Sequence, residues 1–383
     1  MIPYGTQSID QNDIDAVVAA LQSDFLTQGP VLPRFESALA ERVEARFAVA
    51  VNSATSALHL SCLALGLGEG DWLWTSPNTF VASANVGKLC GAKVDFVDID
   101  LDTGLMSMDA LEQKLVQANK DSRMPKIVMP VHFAGQSCDM QRLHQLGQQY
   151  GFYIIEDASH AIGASYLGRP VGACQFSDVT VFSFHPVKIL TTGEGGVATS
   201  NQPGLVETMR LLRSHGVTRD RSQMTEPVDE TPWGYQQVML GLNYRMTELQ
   251  AALGLSQLSK LEDFVQFRRQ RVTHYQKKLS CLPVQSIVEH GQGRSAWHLF
   301  TLLFDDPGLR TSVFSRLRGK GVGVNVHYIP VHTQPFYRQF GFDWGDFPQA
   351  EDWYRRTLTL PLHPKLTFSQ QQWVVDCLEE ALA

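Results

Sequence analysis

VFSFHPVKILTTGEGGVATS, residues 181–200, holds the end of one β-rich run and the whole of another, at 179–184 and 196–199. About a dozen residues join them, with no helical pattern. Parallel neighbours need a crossover of at least that length, usually with a helix in it. The second strand is therefore expected to run antiparallel. Upstream, apolar runs at 48–51, 72–75, 93–97, 126–130 and 152–156 alternate with helical patterns at 54–65, 83–89, 109–117 and 139–150, and a further helical pattern follows downstream at 205–213. Such alternation predicts an α/β sheet with helices on both faces. The expected architecture is a large, mixed, seven-stranded sheet.

Beyond it, a helical region spans roughly 247–279, and Leu282–Pro283 breaks it. A smaller α/β unit should follow, with strands at 299–304 and 324–328 and helices at 312–318, 350–356 and 369–381. The expected division is 1–246 and 247–383. A chain of 383 residues has the length of two domains. Apolar and aromatic residues are too plentiful for disorder. With 32 Lys and Arg against 39 Asp and Glu, the net charge is −7. A nucleic-acid binder would show a basic footprint instead. Six cysteines, none in a CxxC pair, read as reduced core thiols, with no metal site. The opening MIPYGTQSIDQND lacks the basic-then-apolar order of a signal peptide, so a cytoplasmic chain is expected. The charge-free stretch 47–68 is broken by polar residues and is not read as a membrane span. The polar segment 216–232 reads as an exposed excursion that could cover a site.

Four segments carry chemistry. In VNSATSALHL (51–60) a strand gives way to a helix. Free N–H groups at that helix start, beside Ser53, Thr55 and Ser56, suit a phosphate. An ordinary N-cap is the plainer reading. FYIIEDASHA (152–161) runs a strand into Glu156, Asp157 and His160. Ligands of open α/β sheets collect at such carboxyl ends. A capping Asp and a structural His remain alternatives. Around Lys188 stand Ser183, His185, Thr191 and Thr192, with Gly193, Gly195 and Gly196 beyond. A lysine held near an apolar cavity, with hydroxyls for a phosphate, suits Schiff-base chemistry. In TFVASAN (79–85), Phe80 could stack on a flat ring or simply pack in the core.

These segments, with Pro3–Tyr4, RSHG and GLNYRMTELQAALGLSQL, stand in the order found in the DegT/DnrJ/EryC1/StrS family. Essentially the whole chain resembles these sugar aminotransferases dependent on pyridoxal 5'-phosphate. The resemblance implies the type I, aspartate-aminotransferase-like fold and a homodimer with active sites at the subunit interface. It makes Lys188 the Schiff-base lysine and proton carrier, Asp157 the partner of the pyridinium nitrogen, and His160 a neighbour of the phenolic oxygen. Ala54, Thr55 and Ser183 become phosphate and cofactor contacts, and Phe80 the stacking aromatic. Asn243 would reach the phosphate from the partner subunit.

Ala54 stands where most relatives carry Gly. The NSATS version, HPVK and NVHYIP are similar to the branch making UDP-4-amino-4,6-dideoxy-N-acetyl-β-L-altrosamine, on the pseudaminic acid route. That implies amino transfer from L-glutamate to C4 of a UDP-linked 4-keto-6-deoxy-N-acetylhexose. Implied substrate contacts are Tyr4, the stretch Asp24, Phe25, Leu26 and Thr27, and Asn325, Val326, His327 and Tyr328. Alternatives are a dTDP-linked sugar, a C3 ketone, UDP-4-keto-arabinose, or a non-catalytic binding protein of the same fold. A sugar dehydratase would carry His at position 188, and this chain carries Lys.

Overall fold

The computed structural model describes residues 1–121, 123–227, 231–289 and 291–382. Its main sheet contains β1 (Phe47–Val51), β2 (Trp72–Thr75), β3 (Lys93–Phe96), β4 (Ile127–Met129), β5 (Tyr153–Asp157), β6 (Val179–Ser183) and β7 (Gly196–Ser200). Their order across the sheet is β1-β7-β6-β5-β4-β2-β3. The β7 strand is antiparallel to both β1 and β6, and the remaining pairs are parallel. The linker 184–195 contains no helix, as its sequence predicted.

Side chains alternate across a strand, so each strand feeds two cores. Val49 and Val51 join Ile155, Val181 and Ala198 against the helices Ala54–Ala64 and Pro203–Arg213. Ala48 and Ala50 face the opposite way, with Phe182 and Val197, onto Val31–Arg42 and Glu248–Leu258. A third core joins Trp74, Phe96 and Val128 to Phe300, Trp353 and Leu378.

The C-terminal region holds a second antiparallel sheet of β8 (Val284–Ser286), β9 (Phe300–Phe304) and β10 (Thr357–Leu360), with β9 central. Residues 324–328, expected as a strand, meet β10 only at Asn325 and Thr359. Side-chain amides replace the ladder: Val326 N–H donates to Asn325 Oδ1 and Tyr328 N–H to Asn78 Oδ1. The expected long helix is two, Glu248–Leu258 and Leu261–Leu279, broken at Ser259–Lys260. The chain start straps onto this region. Ile2 bridges Val322, and Leu362 N–H donates to Tyr4 O at 3.0 Å.

Four cysteines are buried, Cys90 is partly so, and Cys281 is exposed rather than in a core. Among the described residues no three His, Cys, Asp or Glu side chains cluster as metal ligands. Nor is any described helix long and apolar enough to cross a membrane. The excursion 216–232 forms a short hairpin, Val217–Thr218 with Gln236–Gln237. Its residues 228–230 lie outside the described ones.

Candidate active site

The carboxyl ends of β1, β5 and β6 share one edge of the sheet and open on a cavity of about 510 Å³. After β1, Ser53 caps the helix Ala54–Ala64, its hydroxyl accepting from Ser56 N–H at 3.1 Å. Ser56 Oγ donates to Asn52 Oδ1 at 2.6 Å, so that hydroxyl is already committed. The first N–H groups of a helix have no partner within it. Among the described residues those of Ala54 and Thr55 have no partner and remain for a ligand, with the positive end of the helix dipole behind them. Gly196 makes this geometry possible. A Cβ there would lie 2.5 Å from Ala54 N and 2.6 Å from Ser53 C.

Asp157 ends β5 and is buried. Ser83 Oγ donates to its Oδ2 at 2.7 Å, and Ser159 Oγ to its Oδ1 at 2.6 Å. Ser159 N–H donates to the same Oδ1 at 3.1 Å. Thr79 Oγ1 sits 2.8 Å from Ser83 Oγ, which extends the network one turn back. The carboxylate is thus held in one orientation while it lines the cavity.

Lys188 lines the same cavity and forms no ion pair among the described residues. Desolvation pulls its ammonium down to about 8, against the opposing pull of Asp157. Two buried imidazoles stand nearby, and burial together with the Lys188 charge holds both below the usual histidine range. His327 falls to about 3, and His160 is lowered too, with His327 contributing. Both rings are neutral at pH 7. Asn325 Nδ2 lies 3.3 Å from His327 Nε2 and can only donate, so His327 carries its proton on Nδ1, 2.8 Å from Thr359 Oγ1.

Of the residues singled out in the sequence, Tyr4, Ala54, Thr55, Phe80, Asp157, His160, Ser183, Lys188, Asn325, Val326, His327 and Tyr328 line this cavity. Asp24, Phe25, Leu26, Thr27 and Asn243 do not. The first four are exposed. Thr27 bridges Thr247, and Leu26 O accepts from Glu248 N–H. Asn243 is exposed and bridges Ser214. Arg213 is occupied elsewhere, pairing with buried Glu36 and donating to Ala50 O.

Residues 7–379 match the model of the DegT/DnrJ/EryC1/StrS aminotransferase family. The chain belongs to this family. It is 36% identical over 383 residues to the UDP-4-amino-4,6-dideoxy-N-acetyl-beta-L-altrosamine transaminase of Campylobacter jejuni, covering 99% of this chain and 96% of the relative. Helicobacter pylori PseC, an aminotransferase of pseudoaminic acid biosynthesis, superposes with a TM-score of 0.91 at 30% identity, covering 100% and 99% of the two chains. Spr1654 of Streptococcus pneumoniae, described as a sugar aminotransferase and solved in its PMP form, gives 0.91 at 29% identity, covering 100% and 99%.

Within this family member, sequence reading missed the residues that orient the chemistry. Ser83 and Ser159 hold Asp157, and Ala134 N–H donates to His160 Nδ1 at 3.3 Å. Ser159 was legible, inside EDASHA and two residues from Asp157. Ser83 lies inside TFVASAN, yet 74 residues from its partner, and nothing local pairs it with Asp157.

Proposed function

We propose that this enzyme moves an amino group from L-glutamate to C4 of a UDP-linked 4-keto-6-deoxy-N-acetylhexose. The product is UDP-4-amino-4,6-dideoxy-N-acetyl-β-L-altrosamine, a step of the pseudaminic acid route. The cofactor is pyridoxal 5'-phosphate. One observation carries the reading: a lysine amine lowered to about 8 and a pinned carboxylate face one cavity that also holds an open helix N-terminus.

The residues fit the cofactor. The hydroxyls of Thr55 and Ser183 have no partner among the described residues, and both line the cavity beside the free N–H groups. They would hold the phosphate. Asp157 would hold the ring nitrogen as a cation, since an opposite charge at close range favours it. Phe80, 61% exposed and lining the cavity, would stack on the ring. Bound there, the cofactor supplies an aldehyde that carries the travelling amine and a ring that takes up the electron pair of a deprotonated carbon. Lys188 Nζ would take the proton from that carbon and return it two atoms along, across the nitrogen, on the carbon that had been the aldehyde. Its low basicity keeps a useful fraction in the free amine form near neutral pH. Ser83 and Ser159 keep Asp157 from turning away.

Asn243 belongs to a second copy's site on this reading, so the enzyme works as a homodimer; the cytoplasm is its proposed location. Mixing Lys188→Ala and Asn243→Ala chains tests the sharing. Hybrid dimers should regain one intact site, and failure to gain activity over either parent would oppose it. For the reaction itself, UDP- and dTDP-linked keto sugars are offered with glutamate, and NMR locates the new amine. Amine at C4 of the UDP sugar supports the reading. Turnover of another sugar alone, or normal turnover by Lys188→Ala, would end it.

A further inference from the structure

We infer that Tyr328 is a one-way hydrogen-bond donor aimed into the cavity, its direction set by the backbone N–H of Ala134 acting through the His160 ring. Its ligand is an acceptor oxygen, and on the functional reading above that oxygen is the ketone of the sugar.

A backbone N–H only donates, so His160 Nδ1, 3.3 Å from Ala134 N, must be an acceptor. The ring is buried and neutral, so its one proton sits on Nε2. Nε2 lies 3.2 Å from Tyr328 Oη. The imidazole donates there and the phenol oxygen accepts. The phenol's own proton must then point elsewhere, and no described protein group accepts it. Tyr328 lines the cavity, so the proton points toward a ligand. Burial, with the neighbouring Tyr4 phenol and the Asp157 carboxylate, raises the phenol's pKa and keeps that proton in place.

The start of the chain is rigid. Ala134 has φ 58°, and Gly135 beside it has φ 106°. A Cβ on Gly135 would lie 2.8 Å from both Trp297 N and His298 N. Ala134 O also accepts from Leu299 N–H, which fixes the peptide on its far side. The His298 ring packs on His160 with centroids 4.5 Å apart, and Phe133 packs edge-on to Tyr328 at 6.2 Å. Toward that acceptor oxygen His160 and Ala134 are positioning residues, and of the three Tyr328 alone meets it. Such a donor binds and polarises a carbonyl oxygen. With His160 donating to its oxygen and its own proton turned to the ligand, it is poorly arranged to accept from the ammonium that replaces that oxygen in the product, so it favours the ketone over the amine.

Two measurements test this. First, ¹⁵N NMR of histidine-labelled holoenzyme reports the His160 tautomer. A proton on Nε2, in wild type and in Tyr328→Phe, is expected. A proton on Nδ1 would reverse the direction and overturn the inference, whatever the substrate proves to be. Second, the two half-reactions are followed separately by the cofactor's absorbance. Tyr328→Phe keeps the ring and its packing. It should slow transfer to the keto sugar about tenfold and leave the glutamate half-reaction within about threefold. His160→Leu should slow the sugar half-reaction likewise. His160→Gln, whose amide can accept from Ala134 and donate to Tyr328, should restore it. Equal loss in both half-reactions, or no loss in Tyr328→Phe, would overturn the ketone assignment. If no keto sugar is aminated by wild type, the functional reading fails while the tautomer still decides the direction.

Discussion

Ser83 Oγ donates to Asp157 Oδ2 at 2.7 Å, across 74 residues of sequence and from a helix to the end of a central strand. Both partners are buried, at 1% and 5% exposure. A hydrogen bond to a charged group is worth about 1.5–3 kcal/mol, and its loss here also frees the carboxylate to rotate. Ser83→Ala should therefore lower kcat/KM about tenfold or more, with the fold retained. Steady-state kinetics beside thermal melting check this. Ser83→Thr, which keeps the hydroxyl, should recover part of the rate. Wild-type kinetics in Ser83→Ala would show that Ser159 alone holds Asp157.

Gly196 and Ala54 set the depth of the phosphate end. A Cβ at 196 meets backbone atoms, which cannot swing aside as a side-chain tip can. Gly196→Ala should push the start of the helix Ala54–Ala64 away from β7 and weaken cofactor binding at least tenfold, while the distant C-terminal sheet is untouched. Equilibrium dialysis of the cofactor measures it. Unchanged affinity would mean that the helix N-terminus does not face the phosphate.

The alternation of strands and helices, and the reversed last strand, were legible because chain length constrains connections: twelve residues without a helix are at the lower limit for a return to a parallel neighbour, which usually takes a helix. Lys188 and Asp157 were legible because each sits in a dense local pattern at a strand's end. Residues 324–328 looked like a strand because Val324, Val326 and Tyr328 alternate with polar residues. Their backbone instead spends its N–H groups on Asn325 and Asn78, and their side chains wall the cavity. The helices Gln11–Leu21 and Val31–Arg42 went unread. The first is capped by Asp10 with Asp13 in place of the usual Glu or Gln, and the second carries Pro33 in its first turn, where proline is tolerated. The Asp13 and Glu248 contacts that fasten these helices to Glu248–Leu258 join residues more than 200 positions apart, beyond any local pattern.

Lys188 predicts a pH dependence. In the cofactor-free protein its amine should titrate near 8, well below an ordinary lysine, because desolvation disfavours its charge. Competitive labelling with acetic anhydride, read by peptide mass spectrometry, should show Lys188 reactivity rising through pH 8. The Asp157 charge opposes this shift, so Asp157→Asn should move the midpoint lower still. A midpoint near 10.5, or an upward shift in Asp157→Asn, would contradict the electrostatics of the cavity.

Glu156, next to Asp157 but on the opposite side of β5, predicts an acid limb in stability. Burial pushes its carboxyl up, but donors outweigh that: His132 Nε2 at 2.6 Å, with Ser177 Oγ and Thr180 Oγ1 at 2.5 and 2.7 Å, hold it below the usual range. A carboxylate with a lowered folded-state pKa stabilises the fold above its unfolded value, and that contribution disappears as the pH falls through the folded one. Thermal melts should therefore lose stability below about pH 4.5. Glu156→Gln should remove most of this dependence and cost about 1–3 kcal/mol at pH 7, because donors set around a carboxylate then face a neutral amide. The amide cannot replace the carboxylate cleanly. Cys138 N–H donates to His132 Nδ1, so the ring's proton sits on Nε2 and needs the Gln oxygen; the NH₂ then faces Ser177 and Thr180, whose hydroxyls must turn from donating to accepting. A variant as stable as wild type at pH 7, with the same acid limb, would place that pH sensitivity on another carboxylate.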